Sequence, residues 1–189
     1  MRSKAGCQAN RLLCTLAIKP LQSVKTMKTL LLLRHAKSSR DDPGLPDFDR
    51  PLNDRGKDDA KLMGRYLQEQ KFVVDCVISS PAKRARRTAE IFLKAADVSL
   101  DPILDDRIYE AGRQQLLTVV SEIDPSHNVV LLIGHNPGFE DLLESLTGQY
   151  ARLPTAALAA IDLSIDQWRD LRPQSGKLRG LVTPKELKN

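Results

Sequence analysis

Two histidines and two arginines in this sequence have the chemistry needed to bind and transfer a phosphoryl group. Arg34 and His35 are adjacent, Arg84 lies in a basic run, and His135 follows a glycine later in the chain. A guanidinium group donates parallel hydrogen bonds to phosphate oxygens and stays charged at physiological pH. A neutral imidazole has a free lone pair, and neighbouring cations keep it unprotonated near pH 7. These residue types indicate an anion site where a histidine attacks phosphorus and water then hydrolyses the phosphohistidine.

Apolar runs of strand length precede these groups along the chain. The runs cover residues 30–33, 73–78 and 129–133. Short continuous apolar runs suit strands of a sheet that is covered on both faces. We therefore expect these three strands to be parallel neighbours.

Segments with helical periodicity alternate with the strands. They cover residues 54–70, 81–96, 113–123 and 137–146. Two further strands, at residues 156–163 and 176–182, bracket a loop that contains Trp168. The alternation predicts an α/β fold, a three-layer α/β/α sandwich with a mostly parallel central sheet.

The residues that follow the three strands are the expected place for a ligand. Open α/β sheets bind ligands beyond the carboxyl ends of their strands. The segments there are residues 34–38, 79–84 and 134–138. Helices that begin near Pro81 and Pro137 would direct their N-termini at the same anion. The topology would thus bring both histidines and at least two arginines to one edge of the sheet.

Charge and composition exclude several classes of function. The net charge of +5 comes from residues 1–28, which hold six basic residues and no acidic one, whereas residues 29–189 hold 23 basic and 24 acidic residues. Nucleic acid and membrane lipid are therefore not expected as partners. Aromatic residues make up only 4%, which argues against base stacking. The longest apolar run, Ala156 to Ile161, is far shorter than the roughly 20 residues that span a bilayer.

The chain of 189 residues is expected to form one domain after a basic leader. We interpret residues 1–26 as a disordered extension or a misassigned start, and residues 27–189 as the domain; a targeting segment is the alternative for the leader. The three cysteines lack CxxC spacing, so neither a disulfide framework nor a zinc site is predicted. A reducing, cytoplasmic location is expected, with organellar targeting by the leader as the alternative. The sequence leaves the oligomeric state open, and a monomer is compatible with it.

Three motifs in this order resemble the signatures of the histidine phosphatase superfamily. They are Leu-Leu-Leu-Arg-His-Ala-Lys at residues 31–37, Ser-Pro-Ala-Lys-Arg-Ala at 80–85 and Gly-His-Asn at 134–136. The short chain most resembles the SixA-type phosphohistidine phosphatase branch. Residues 49–52, Arg55-Gly56 and residues 181–185 are also similar to that branch, and the resemblance covers nearly all of residues 28–187.

The resemblance implies a role for each motif residue. It makes His35 the phosphoacceptor, Arg34 and Arg84 the ligands of the phosphoryl oxygens, and His135 the residue that completes the pocket. It implies a phosphoglycerate mutase-like fold and a mechanism without metal or cofactor. Ala36 stands where many relatives have glycine, a change that is tolerable if the backbone there is not left-handed.

The mutase relatives differ from this chain near the site. They usually carry asparagine where Arg40 stands, and an insertion that caps the pocket, for which this chain has little room. A shallow, open pocket favours a phosphorylated protein side chain over a small bisphosphate that must be retained.

The general acid is not settled by the motifs. Glu110 falls where phosphoester-cleaving relatives place a carboxylate that protonates the leaving oxygen, and the alternative is a plain loop residue. Phosphohistidine needs less protonation because its P–N bond is already labile. Asp41 and Asp42 are further candidates, with a solvated loop beside the site as the alternative interpretation.

Three functions remain open from the sequence. The first is a phosphatase acting on phosphohistidine of a protein, and the second is a broad phosphomonoesterase for small molecules with Glu110 as general acid. The third is a phosphate-binding module without catalysis. Other polar residues have ordinary interpretations: Lys83, Arg86 and Arg87 as the solvent-facing side of a helix, and His127 as part of a polar surface turn. Cys76, within a predicted strand, is expected to be buried.

Overall fold

The computed structural model describes residues 27–188, which form one six-stranded sheet with helices on both faces. The strands are β1 (Lys28–Arg34), β2 (Cys76–Ser79), β3 (Ile103–Leu104), β4 (Val129–Gly134), β5 (Leu158–Leu163) and β6 (Gly176–Val182). The helices are α1 (Asp54–Glu69), α2 (Lys83–Ala95), α3 (Arg113–Ser121) and α4 (Gly138–Thr147). The predicted leader, residues 1–26, lies outside the described residues.

The strand order in the sheet is β3-β2-β4-β1-β5-β6. Strands β1 and β2 both pair in parallel with β4, and β2 also pairs in parallel with the short β3. On the opposite edge of the sheet, β5 pairs antiparallel with β1, and β6 pairs antiparallel with β5. The predicted α/β fold with a parallel centre is confirmed. The expectation that the three apolar strands are parallel neighbours is also confirmed, with β4 between β1 and β2.

Both faces of β1 are buried, which explains its uninterrupted leucine run. Leu31 and Leu33 pack on the side of α1 and α2 with Phe92, whereas Leu30 and Leu32 belong to a second core that contains Phe139 of α4. All four leucines are fully buried. Burying such a side chain contributes about 1.5–3 kcal/mol. A helix layer therefore covers each face, as the sequence pattern predicted.

Helix α1 starts where the sequence indicates a cap. The Asn53 side chain accepts a hydrogen bond from the Gly56 backbone N–H at 2.8 Å, which satisfies one free donor of the first turn. Gly56 also lies against the loop that follows His35, since a Cβ atom at this position would approach the Lys37 carbonyl oxygen to 2.1 Å. The glycine thus permits close contact between α1 and the segment that carries the predicted nucleophile.

Strand β2 has a later start than predicted, and β3 was not predicted at all. Strand β2 begins only at Cys76, because Val73 is exposed and the Asp75 carboxylate accepts the backbone N–H groups of Asn128 and Val129. Cys76 is buried, as predicted. Strand β3 consists of only two apolar residues, which is too short a run to indicate a strand, and both side chains are exposed. Within residues 27–188, no helix is both long and apolar enough to cross a bilayer.

Candidate active site

The carboxyl ends of β1 and β4 and the first turn of α2 bring three predicted residues into contact. The rings of His35 and His135 lie 5.0 Å apart between centroids. Arg84 joins them, because its Nε atom donates to His35 Nε2 at 3.3 Å and its Nη2 atom lies 3.3 Å from His135 Nδ1. Arg84 and both histidines are buried. The topology thus produces the cationic pocket that the strand ends indicated.

The hydrogen bonds of His35 assign its protonated nitrogen. Its Nδ1 atom lies 2.8 Å from the carbonyl oxygen of Ala36, which can only accept, so Nδ1 carries the proton. Its Nε2 atom faces Arg84, which can only donate, so Nε2 is unprotonated. The free lone pair of His35 therefore lies beside the guanidinium group.

Burial keeps both imidazoles neutral. The pKa of His35 is lowered to about 3, first by burial and then by His135 and the positive charges of Arg84 and Arg34. The pKa of His135 is lowered to about 4 by burial and by Arg84. A buried imidazolium loses its hydration and is repelled by the neighbouring guanidinium groups. Near pH 7, both rings are therefore available as lone-pair donors.

Ser80 orients His135. Since Nδ1 of His135 faces the donor Arg84, the proton lies on Nε2, which donates to Ser80 Oγ at 2.8 Å. Ser80 follows β2 and is fully buried. The serine of the second motif therefore orients the histidine ring of the third motif.

Thr88 connects the first motif to the second. Its hydroxyl accepts the backbone N–H of Ala36 at 3.0 Å and donates to the carbonyl oxygen of Arg84 at 2.6 Å. Ala36 itself is not among the residues with positive φ, so its methyl group is compatible with the backbone. This buried link holds the His35 loop against the first turn of α2.

Arg34 lies at the same edge but is held by a different loop. Its Nη1 atom donates to the Leu153 carbonyl oxygen at 2.7 Å, and Asn136 Nδ2 donates to the same oxygen at 2.9 Å. The backbone N–H of Leu153 donates in turn to Glu140 at 2.7 Å. Burial lowers the pKa of Arg34. The first and third motifs therefore jointly anchor the segment that precedes β5.

Asp47 is a site residue that the sequence analysis did not identify. Its carboxylate accepts hydrogen bonds from Arg84 at 2.8 Å, Arg50 at 2.9 Å and the Tyr109 hydroxyl at 3.1 Å. Burial alone would raise the pKa of Asp47, but the bond from Arg50 and the charge of Arg84 outweigh it and lower the pKa. Residue 47 is thus an ionised carboxylate at the edge of the pocket.

A sequence profile of the histidine phosphatase superfamily (branch 1) matches residues 30–128, slightly more than half of the chain. This chain belongs to the histidine phosphatase superfamily. The phosphatase is 30% identical to an uncharacterised Mycobacterium tuberculosis protein, over 81% of this chain and all of that protein. An uncharacterised chloroplastic protein of Arabidopsis thaliana is 28% identical, over 97% of this chain and 90% of that protein.

The fold of the phosphatase is also similar to that of SixA-type members. A candidate phosphohistidine phosphatase SixA from Agrobacterium tumefaciens superposes with a TM-score of 0.72 and 28% identity. The match covers 83% of the phosphatase and 98% of the other chain. The predicted family and branch are confirmed, and residues 27–188 contain no large cap insertion.

Glu110 lies at the rim of the phosphatase pocket rather than inside it. It is exposed, has a φ of 53°, and makes no hydrogen bond within the described part of the chain. Its neighbour Tyr109 packs edge-on against His135, with 5.6 Å between ring centroids. Glu110 is therefore close to the pocket, and its role as general acid stays a prediction.

The two other carboxylates predicted near the pocket serve local turns. Asp41 accepts a hydrogen bond from the Ser39 hydroxyl at 2.6 Å, and Asp42 accepts the backbone N–H of Gly44 at 3.0 Å. Both aspartates are exposed, in agreement with a solvated loop. His127 lies elsewhere, with its carbonyl oxygen accepting the indole N–H of Trp168 at 2.9 Å. Residues 27–188 contain no group of three histidine, cysteine or carboxylate side chains arranged for a metal ion.

Proposed function

We propose that this phosphatase removes the phosphoryl group from phosphohistidine of a protein, through a covalent intermediate on His35. The observation that carries the proposal is the unprotonated Nε2 atom of His35, which faces the Arg84 guanidinium at 3.3 Å. A buried lone pair beside a fixed cation can attack a phosphoryl group whose oxygens that cation binds.

The reaction proceeds in two displacement steps. First, the lone pair of His35 Nε2 forms a bond to phosphorus while the P–N bond of the substrate breaks. The substrate imidazole leaves as a neutral ring when its other nitrogen carries a proton. Water then attacks the phosphorus on His35, which releases orthophosphate and restores the imidazole. Arg84 and Arg34 bind the equatorial oxygens, on which charge accumulates in the transition state, and His135 completes the pocket.

The ionisation of the nearest carboxylate supports a P–N substrate. Asp47 accepts hydrogen bonds from two arginines, and its lowered pKa keeps it ionised, so it is a poor proton donor. An alkoxide leaving group needs such a donor, whereas the imidazole of phosphohistidine does not. The similarity to a SixA-type protein supports the same substrate class.

A broad phosphomonoesterase for small molecules is the second candidate. The observation in its favour is Glu110, which is exposed beside Tyr109 at the rim and is free to approach a leaving oxygen. If the protein is such a phosphomonoesterase, Glu110→Ala strongly slows phosphoester hydrolysis. If it is a phosphohistidine phosphatase, Glu110→Ala lowers the rate of phosphohistidine hydrolysis only slightly.

The deciding experiment compares phosphate release from a phosphohistidine protein and from an aryl phosphate, using the full chain. We expect much faster turnover of the phosphohistidine protein, and no turnover by His35→Ala. A ³²P-labelled phosphoenzyme should be stable to alkali, labile to acid and absent in His35→Ala. Cleavage of the aryl phosphate alone would establish the second candidate. Phosphate binding without any turnover would favour the module without catalysis.

We propose further that residues 27–189 form the catalytic unit, and that residues 1–26 are not required for it. The chloroplastic location in the name of the Arabidopsis relative supports the targeting alternative for these residues. Fusion of residues 1–26 to a fluorescent protein tests it: cytoplasmic fluorescence would contradict targeting, and organellar fluorescence would establish it.

A further inference from the structure

The first turns of α2 carry basic residues where a helix favours acidic ones. The helix begins Lys83-Arg84-Ala85-Arg86-Arg87 and has no acidic residue in its first turn. The N-terminus is the positive end of the helix dipole, so cations there destabilise the helix. The presence of Arg84 in this turn is explained by the catalytic pocket, where it is buried. Lys83, Arg86 and Arg87 are exposed, so the pocket does not explain them. Departures from local stability rules are expected where side chains have a function.

These exposed cations line a groove between α2 and the start of α1. The groove has a volume of about 510 Å³. We call it the basic groove and define it by Lys83, Arg86, Arg87 and Glu90 of α2, Lys57 of α1, and the connecting residues Pro51 and Leu52. Its volume lies within the roughly 300–1,000 Å³ typical of ligand clefts.

The cations of the basic groove are only partly neutralised. Lys57 pairs with Asp54 at 2.8 Å, and Arg87 pairs with Glu90 at 2.7 Å. Lys83 and Arg86 have no ion-pair partner within residues 27–188. Those residues contain 24 basic and 24 acidic side chains in total. The positive excess of the groove is therefore a local feature of a body without net charge.

Residues on both walls of the basic groove are adjacent in the chain, or paired, to residues of the catalytic pocket. Lys83 directly precedes Arg84, which contacts His35. On the other wall, Leu52 forms a β-bridge with Ser38, and Ser38 follows His35 by three residues. A chain whose phosphorylated side chain enters the pocket can therefore extend along the groove.

We propose that the basic groove binds an acidic segment of the phosphorylated protein, adjacent in its chain to the phosphohistidine. The proposal rests on the proposed function, and it adds the sequence feature by which the substrate is selected. Carboxylates of the segment pair with Lys83 and Arg86, the two cations without a partner. Exposed charge pairs of this kind guide association and weaken as salt is added.

The test uses two synthetic histidine peptides, one with four glutamates beside the histidine and one with four glutamines, each phosphorylated chemically with phosphoramidate. We expect the full chain to dephosphorylate the glutamate peptide with about tenfold higher kcat/KM, mainly through KM, as two exposed ion pairs imply. The ratio should fall toward one in Lys83→Glu/Arg86→Glu. The matched control, Arg169→Glu/Lys177→Glu, reverses two exposed cations outside the groove and should keep the ratio.

The outcomes separate the two proposals. Equal rates on both peptides in the wild-type protein, or a ratio that survives Lys83→Glu/Arg86→Glu, overturn the basic groove and leave the phosphatase function intact. No turnover of either peptide overturns the proposed function and the docking proposal together. Because acidic residues at a helix start are favourable, the double variant should melt no earlier than the wild type. A lost preference in a stably folded variant is therefore due to charge at the groove.

Discussion

Acidification from pH 7 to pH 5 should leave His35, the proposed nucleophile of this phosphatase, neutral and active. An exposed histidine with a pKa of 6.5 is only about 3% neutral at pH 5. His35 is buried between Arg34 and Arg84, and its pKa is lowered to about 3. Burial and positive neighbours both disfavour the imidazolium, so the shift is downward.

The expected loss of activity follows from both histidines. With a pKa of about 3 for His35 and about 4 for His135, the fraction of molecules with both rings neutral at pH 5 is about 90%. The kcat/KM value should therefore fall by about a tenth between pH 7 and pH 5, after correction for the ionisation of the substrate. An unshifted pKa for His35 would give a fall of about thirtyfold.

The assay combines kinetics with a direct titration. Initial rates on an aryl phosphate give kcat/KM, and the NMR signals of the histidine ring protons give each pKa, with His35→Gln and His135→Gln assigning the signals. We expect both signals to keep their neutral positions at pH 5. A titration of His35 centred near pH 6.5 would refute the inference that burial controls this residue.

The lowered pKa of His35 also makes the stability of the folded state sensitive to acid. Below pH 6.5 the unfolded chain binds a proton at residue 35 that the folded protein does not bind until about pH 3. The stability from this group is therefore complete above pH 6.5 and decreases as the pH falls toward 3, by on the order of 4–5 kcal/mol. Urea unfolding of His35→Gln should show a shallower pH dependence than the wild type, and equal slopes would contradict the linkage.

Three substitutions test the contacts around the pocket. Arg84→Ala should lower kcat by about 10² to 10³, because a fixed transition-state donor is lost, and a loss below about fivefold would remove Arg84 from the mechanism. Thr88→Val should lower the free energy of unfolding by about 1–3 kcal/mol, because the Thr88 hydroxyl is fully buried between two backbone groups. The control Thr118→Val, at an exposed position, should change the free energy of unfolding by less than about 0.5 kcal/mol. Equal effects of the two substitutions would contradict the structural role of Thr88. Glu140→Ala should weaken inhibition by inorganic phosphate about fivefold by loosening the loop that holds Arg34, and exposed Glu144→Ala serves as the control.

The parts of the fold that follow from hydrophobic pattern were predictable. Strand β6 has its predicted bounds, and α1 ends one residue earlier than predicted. Helix α2 begins at Lys83 instead of Pro81, because residues 81 and 82 form the turn after β2. The place of β4 between β1 and β2 was not predictable, because all three strands are apolar on both faces and the periodicity contains no pairing information.

The residues of the candidate site were also only partly predictable from the sequence. Strand ends and motif spacing identified His35, Arg84 and His135, which are in contact in the structure. Asp47 was missed, because it lies within an acidic loop where four aspartates look alike in sequence. The adjacent Asp49-Arg50-Pro51-Leu52 pattern was the available signal, since Arg50 bonds both Asp47 and the Ser38 hydroxyl.

Backbone acceptors explain why the sequence locates this pocket but not its geometry. The Ala36 carbonyl sets the tautomer of His35, the Leu153 carbonyl holds Arg34, and the Asp47 carbonyl accepts from Arg84. Every residue type has such a carbonyl, so composition and motif spacing do not reveal it. The donors, by contrast, must be specific side chains, because only they supply fixed charge and a free lone pair. Sequence signatures therefore mark the groups that do the chemistry, whereas the connecting loops that position them are visible only in the structure.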